Sequence, residues 1–594
     1  MLSHQLHKLF FVLLFLNCFI QFEYSQTVTM PNIIGSNMVL QQNTAVTIWG
    51  WATAGTNVLI NASWGQSVTT TTNSSGKWLT RIQTPVAVPG LAPTYTLTIT
   101  GPVNTISFTN ILIGEVWLCS GQSNMWFPLK PSSGNMLGVV DYETEIAAAN
   151  YPNIRFFTVP TSDAVVPATN CGGTWMSCTP STASYFSAVG YYFGREIYNN
   201  KAVNVPVGLI NDSYPGAFIQ AWMKDSVLRA DATLKTKYID ANYSTAAVYA
   251  KPSLLYNAML APIIPFTIKG VIWYQGESNS GDDGKIYTKA NIELIKDWRA
   301  SWGIDLSFYA VQIAPRFYSN ATNELNTIQG FFREAQSNIM TLPKTGIAVT
   351  GDLLLNAAER WDVHPRNKKD VGIRLALWAL AKDYAQPIQY QGPVYQSYSL
   401  DGSKVRIYFK PESLSGGLKT KDGSTQVRYF RIAGADKRFY YPALAIIEGN
   451  TVVVSSPYVS SPSSVRYAFA DVSMINLVNN EGIAAMQFRT DAWDQWWPNI
   501  PYSDIPEPTD VKNMQLESTK IFPNPFHDCL YISGINKNIK KVELFDVMGR
   551  KVKSKFDDNV SKVTLDVSTI VPGAYILRVY TEDKTFMTFN TIKQ

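Results

Sequence analysis

Hydrophobic and polar positions alternate in short runs from residue 27 to residue 110, as in AVTIWGWA, TNVLINASW and TYTLTITG, with Gly, Pro and Asn between them. Alternation of period two, broken by turn residues, predicts the strands of a small N-terminal β-sandwich. From 111 to 385 the pattern changes. Apolar runs (ILIGEVWL, NVPVGLIN, IKGVIWYQG, LSFYAVQI, GIAVTGD) take turns with stretches of helical period (FSAVGYYFGREIY, KIYTKANIELIKDWRASW, GIRLALWALAKDY). A strand apolar at every position needs cover on both faces, so this region predicts an α/β domain built on a parallel sheet. Strand-like runs return over 386–500 (SKVRIYFK, VRYFRIAG, ALAIIEGNTVVVSS, SVRYAFAD), predicting a β-rich domain. A Pro-rich stretch, WWPNIPYSDIPEPTD, predicts a stiff linker over 501–515, and 516–594 reads as a last unit of short strands.

A chain of 594 residues exceeds one hydrophobic core, in keeping with several domains. Residues 1–25 have Lys8 ahead of an apolar stretch from Leu9 to Ile20, the pattern of a signal peptide. That predicts export, and no later segment is long and apolar enough for a membrane span. An export compartment would permit a disulfide between Cys171 and Cys178, which flank a Gly-Gly turn in CGGTWMSC. The formal net charge of +5 is spread along the chain without a basic run, which points away from a nucleic-acid partner. No Cys/His set has metal-ligand spacing, so neither a metal nor a cofactor is expected.

The candidate chemistry sits where apolar runs stop. Ile113 to Leu118 leads into Gly-Gln-Ser-Asn, and open α/β sheets place ligands just beyond the carboxyl ends of their strands. Ser123 is therefore a candidate nucleophile, and a Ser hydroxyl needs an adjacent general base. Of the four histidines, His4 and His7 precede the signal core and His527 lies in the last unit. His364 remains, in WDVHPRNKKDVG, with Asp362 beside it. Taken alone it could be a structural histidine, but the Ser123 turn supplies a reason for a base. A neighbouring Asp362 carboxylate would raise its pKa above the free value of about 6.5. Two further strand ends offer Gly216 (INDSYPGAF) and Gln275, Glu277 and Asn279 (WYQGESNS). The Ser123 and Gly216 N–H groups and the Asn279 amide could form an oxyanion hole, in which one donor is worth roughly 3–4 kcal/mol. Gln122, Gln275 and Glu277 are candidates for substrate contact or loop support. Arg333 could bind a sugar carboxylate or form a structural ion pair. No strand-end carboxylate pairs with Glu277, which disfavours a glycosidase.

The ordered segments Gly-Gln-Ser-Asn-Met, Trp-Tyr-Gln-Gly-Glu-Ser-Asn and Asp-Val-His-Pro-Arg-Asn-Lys resemble the sialate O-acetylesterase family, a carbohydrate-esterase branch of the SGNH hydrolases. NMVLQQNTAVTIWGWATAGTNV and GADKRFYYPALAIIEGNTVVVSS extend the likeness to both sides. The resemblance implies a flavodoxin-like α/β/α catalytic domain flanked by β-sandwich modules. It also implies Ser123 as nucleophile, His364 as base, Asp362 as its orienting acid, and Ser123, Gly216 and Asn279 as oxyanion donors. Two positions depart from the pattern. Asp362 stands two residues before His364 rather than three, which leaves Asp352 or a backbone carbonyl as alternatives, and the family's Trp-Gly-Gly-Thr is Tyr214-Pro215-Gly216-Ala217 here. FPNPF, VELFDVMGRKV and VPGAYILRVY resemble the C-terminal sorting domain of the type IX secretion system, whose machinery would then be a partner. The expected protein is a secreted or cell-surface O-acetylesterase, exported through the periplasm and acting on an O-acetylated sugar or glycan. Sialate is the first substrate and acetylxylan or another polysaccharide the second. A non-catalytic glycan-binding protein on an esterase scaffold is the reading from another class.

Overall fold

A computed structural model describes residues 27–493 and 520–593, apart from short internal segments at 134–135, 244, 318–327, 438, 441–442, 523–525, 534–538, 547–549, 561–562 and 582–585. The expected signal peptide and Pro-rich linker lie outside the described residues. Two compact units divide the chain at Tyr502 and Ser503.

The first unit is organised around one 17-residue strand, β1 (Thr105–Gly121). Its first half alternates exposed and part-buried positions and pairs antiparallel with Tyr95–Thr100, while every residue from Ile111 to Gly121 is buried. The change from alternating to continuous apolar sequence is thus the change from one-sided to two-sided burial. The strand runs uninterrupted across Asn110 and Ile111, so the N-terminal β region and the α/β layer share an 11-stranded sheet.

Beyond β1 follow β2 (Tyr151–Thr158), β3 (Met176–Cys178), α1 (Ala188–Asn199), β4 (Val207–Ser213), β5 (Gly270–Tyr274), α2 (Gly284–Trp302), β6 (Ser307–Val311), α3 (Ile328–Ser337), β7 (Thr345–Ala348) and α4 (Lys368–Lys382). The strands lie in the order β7-β6-β5-β1-β4-β2-β3, all parallel except the short edge strand β3. A flavodoxin-like sheet has the order 2-1-3-4-5. Counting β1, β4, β5, β6 and β7 as strands 1 to 5, the sheet keeps that order, with β2 and the short edge strand β3 added outside β4.

Helices α1 and α4 pack on one face of the sheet through Val189, Tyr192, Val371 and Leu375. Helices α2 and α3 cover the other through Leu294, Trp298, Phe332 and Ala335. The chain moves outward from β1 to β2, returns through β4, and then continues on the far side through β5. The loops after β1, β4 and β5 therefore open at the place where the winding reverses, where such sheets leave a crevice.

Two antiparallel four-stranded sheets follow between Tyr395 and Arg489. Buried Arg333 on α3 donates to the carbonyl oxygens of Ala468, Ala470 and Asp471. It joins α3 to this β region, and the structure does not bring it to the cleft described below. Cys171 and Cys178 are free thiols. Cys178 is buried in the core on the α1 and α4 face, whereas Cys171 packs against the core of the opposite face, so the expected disulfide is not formed. In the second unit a three-stranded and a four-stranded sheet enclose a separate core of Phe526, Leu530, Ile532, Val542, Leu544 and Leu577. Among the described residues no helix is long and apolar enough to cross a membrane.

Candidate active site

Gly121 ends β1 at φ +135°, and a Cβ there would lie 2.1 Å from the Tyr274 carbonyl oxygen on β5. A glycine lets the two backbones meet, and Gln122 N–H donates to that carbonyl at 2.9 Å. The chain then turns sharply into a single helical turn, Ser123–Trp126, with Ser123 at its start and 7% exposed. After β4, Gly216 takes φ +79° against the Tyr249 ring. After β7, the loop carrying His364 ends at Asn367, whose side chain accepts a hydrogen bond from Asp370 N–H and caps α4.

These loops surround an open cleft of about 520 Å³, lined by Gln122, Ser123, Gly216, Glu277 and His364, with Trp126, Tyr249, Ser278 and Arg316 among the other walls. Three groups that sequence reasoning passed over stand here: Tyr249, Ser278 and Arg316. Arg316 lies just beyond β6, so the strand-end rule applied to LSFYAVQIAPR would have found it. Tyr249 lies in a single 3₁₀ turn, Val248–Ala250, with no comparable signal.

Asn279 and Gln275 are not on this wall. The Asn279 amide nitrogen donates to Asp282 at 2.8 Å and to Gln220, while its oxygen accepts from Ile219 N–H and Gln275. Gln275 is fully buried, and its amide nitrogen is spent on Ala217, Asn279 and Gln122. Both side chains brace the loop after β5, so Asn279 is not placed as an oxyanion donor. The Gln122 side-chain oxygen accepts from Gly276 N–H, Ser278 N–H and Gln275, which fixes the orientation of its amide.

Asp362 differs from expectation as well. Its carboxylate accepts from the backbone N–H of His364 at 2.8 Å, and both ring nitrogens of His364 are buried without a hydrogen-bond partner. Asp352, the alternative, is paired with Arg374 at 2.6 Å and with Lys421 at 2.8 Å. Those two cations hold its carboxyl below the usual range despite burial. Burial, then the Lys368 and Arg316 charges, push the His364 imidazole down to about 4 against the opposing pull of Asp362. The expected rise is thus reversed, because desolvation and two nearby cations outweigh one carboxylate.

Behind the cleft lies a buried polar core. Asn124, next to Ser123, donates to Glu277 at 2.5 Å and to the Val363 carbonyl at 2.9 Å, and accepts from Lys368 Nζ at 2.6 Å. Burial raises the Glu277 carboxyl above its ordinary value, and its second oxygen has no partner. Burial likewise pulls Lys368 down to about 7, against the attraction of Glu277, Asp362 and Glu359. Among the described residues no group of His, Cys, Asp and Glu could hold a metal ion. A hydroxyl and a neutral imidazole lining one cleft are equipment suited to acyl transfer.

Residues 113–380 match the family described as carbohydrate esterase, sialic acid-specific acetylesterase. Residues 520–593 match the secretion system C-terminal sorting domain. The chain is 29% identical to the sialate O-acetylesterase of Homo sapiens over 395 residues, covering 62% of this chain and 73% of that protein. It is 27% identical to the Mus musculus sialate O-acetylesterase over 419 residues, 62% of this chain and 76% of that one. The crystal structure of a carbohydrate acetylesterase from Xanthomonas citri superposes with a TM-score of 0.69 at 35% identity, over 79% of this chain and 100% of that one.

Proposed function

Given that the chain belongs to the sialate O-acetylesterase family of carbohydrate esterases and ends in a type IX secretion sorting domain, we propose that it is a secreted or cell-surface serine esterase. In this reading it removes acetyl groups from O-acetylated sugars. The observation that carries the proposal is the meeting of Ser123, Gly216 and His364 in one cleft at the carboxyl ends of the strands. The catalytic layer is read as an SGNH-type domain with the winding described above.

Ser123 Oγ attacks the acetyl carbonyl carbon while His364 takes the hydroxyl proton. The negative oxygen of the tetrahedral intermediate is received by the Ser123 and Gly216 N–H groups. Gln122 is the third donor in this reading, since its oxygen is already held by Gly276 and Ser278. Collapse breaks the bond to the sugar oxygen, which leaves as a hydroxyl with the proton from His364. Water then attacks the acetyl-Ser123 carbonyl, gives its proton to His364, and acetate departs as Ser123 is restored. Asp362 acts on the loop backbone and through its charge, so the centre works as a Ser–His pair.

Sialate is the favoured substrate, because the Arg316 guanidinium on the cleft wall suits a sugar that carries a carboxylate. Acetylated neutral polysaccharide is the alternative. Acetate release from O-acetylated sialic acid and from acetylxylan, measured side by side with wild type and Ser123→Ala, tests both points. Turnover by Ser123→Ala at the wild-type rate would overturn the mechanism, and a preference for acetylxylan would overturn the substrate.

A further inference from the structure

Lys368 is 1% exposed and occupies the first position of α4. Folding alone disfavours this placement twice. A buried ammonium loses its hydration, and the N-terminal end of a helix carries partial positive charge that repels a cation. Its compensation comes from the Asn124 oxygen at 2.6 Å and from the faces of Phe127 and Tyr274, 4.7 and 5.5 Å from the ring centroids. Every one of these contacts belongs to the loops or strands that bear the cleft.

The geometry is a three-way tie through one side chain. Asn124 has one oxygen and two N–H groups. The oxygen is taken by Lys368 and the N–H groups by Val363 and Glu277. Asn124 follows the nucleophile and Val363 precedes the base. Lys368 stands four residues beyond that base, at the end of the same loop. The two halves of the catalytic pair, which make no direct hydrogen bond to each other, are therefore held in register by Asn124, and Lys368 fixes which way the Asn124 amide faces.

Resting on the Ser–His reading above, we propose that Lys368 is a positioning residue of the esterase centre: its ammonium locks the turn of Ser123 onto the loop of His364 and sets the charge that the imidazole faces. His364 faces three charged groups, Lys368, Arg316 and Asp362, and Lys368 in turn faces Glu277, Asp362 and Glu359. Lys368 carries its charge below about pH 7, hence across the whole range in which His364 takes up a proton. A cation there disfavours a second cation on the ring and keeps the base unprotonated in mildly acidic surroundings.

The test is the pH profile of kcat/KM for acetate release from an activated acetyl ester, with full-length wild type, Lys368→Met, and the charge-balanced pair Lys368→Met/Glu277→Gln. Wild type should lose activity only as pH falls toward about 4. Both variants should show that limb moved up from about 4, yet short of the ordinary imidazole value of about 6.5, because burial and the Arg316 charge remain. At pH 7, kcat should fall by about tenfold or more with KM little changed, as expected when alignment rather than binding is lost. The double variant leaves no unpaired buried charge if the single one folds poorly. An unmoved limb in a folded variant would reduce Lys368 to a structural role and overturn the proposal. A wild-type limb at about 6.5 or above would overturn it without any variant. Ser123→Ala in the same assay keeps the readings apart: activity independent of Ser123 defeats the esterase mechanism, whereas Ser123-dependent activity with an unmoved limb defeats only the role of Lys368.

Discussion

The Asp362 carboxylate accepts the backbone N–H of His364 at 2.8 Å, and so holds the main chain of the loop while the imidazole makes no hydrogen bond. In a Ser–His–Asp triad the acid bonds the ring and selects its tautomer, and replacing it by the amide costs orders of magnitude in kcat. Here the amide oxygen of Asn can still accept the same backbone N–H. Asp362→Asn should therefore lower kcat by less than about tenfold, while Asp362→Ala, which removes the acceptor, should lose more. Steady-state kinetics on the two variants checks this. A loss of about 10⁴ in kcat for the Asn variant would restore Asp362 to the orienting role.

Asp352 should behave in the opposite way. It is almost wholly buried between Arg374 and Lys421, and removing one partner of a buried ion pair strands the other charge. Asp352→Asn should cost about 3–5 kcal/mol of stability, read by denaturant titration, with the kinetics of the surviving folded enzyme near wild type.

The depressed His364 pKa gives a pH dependence with a definite sign. Its folded value is about 4, below the free value of about 6.5, so between these values the unfolded chain binds the extra proton. This residue's contribution to stability is complete above about pH 6.5 and is lost progressively as pH falls toward about 4. Activity should persist through this window, because the folded imidazole stays unprotonated. Melting temperature and kcat/KM followed together from pH 7 to pH 4 should therefore separate, the first declining before the second.

Gln122→Glu keeps the oxygen that accepts from Gly276 and Ser278 and removes the amide donors. If Gln122 donates to the oxyanion, kcat should fall about 10²–10³-fold with the melting temperature close to that of wild type. Unchanged kcat in this variant would leave Ser123 and Gly216 as the donors.

Much of this molecule could be read from local patterns. Strand and helix periods depend on neighbours a few positions apart, so ILIGEVWL and IKGVIWYQG announce buried strands, and GIRLALWALAKDY announces α4. The Ser123 turn and the scarcity of histidine direct attention to His364 for the same reason, since both are properties of the chain before it folds. Partner choice and solvation are not. Lys368 and Asn124 are 244 positions apart, and nothing near either residue says that they meet. Whether Asn279 faces the cleft or Asp282, whether Asp352 serves His364 or Arg374, and whether Arg333 or Arg316 lines the cleft are contests between hydrogen-bond geometries that only packing decides. The sign of the His364 shift belongs to the same class. Asp362 was visible beside it in the sequence, but the burial and the distant cations that overcome that carboxylate exist only once the sheet has brought its strand ends together.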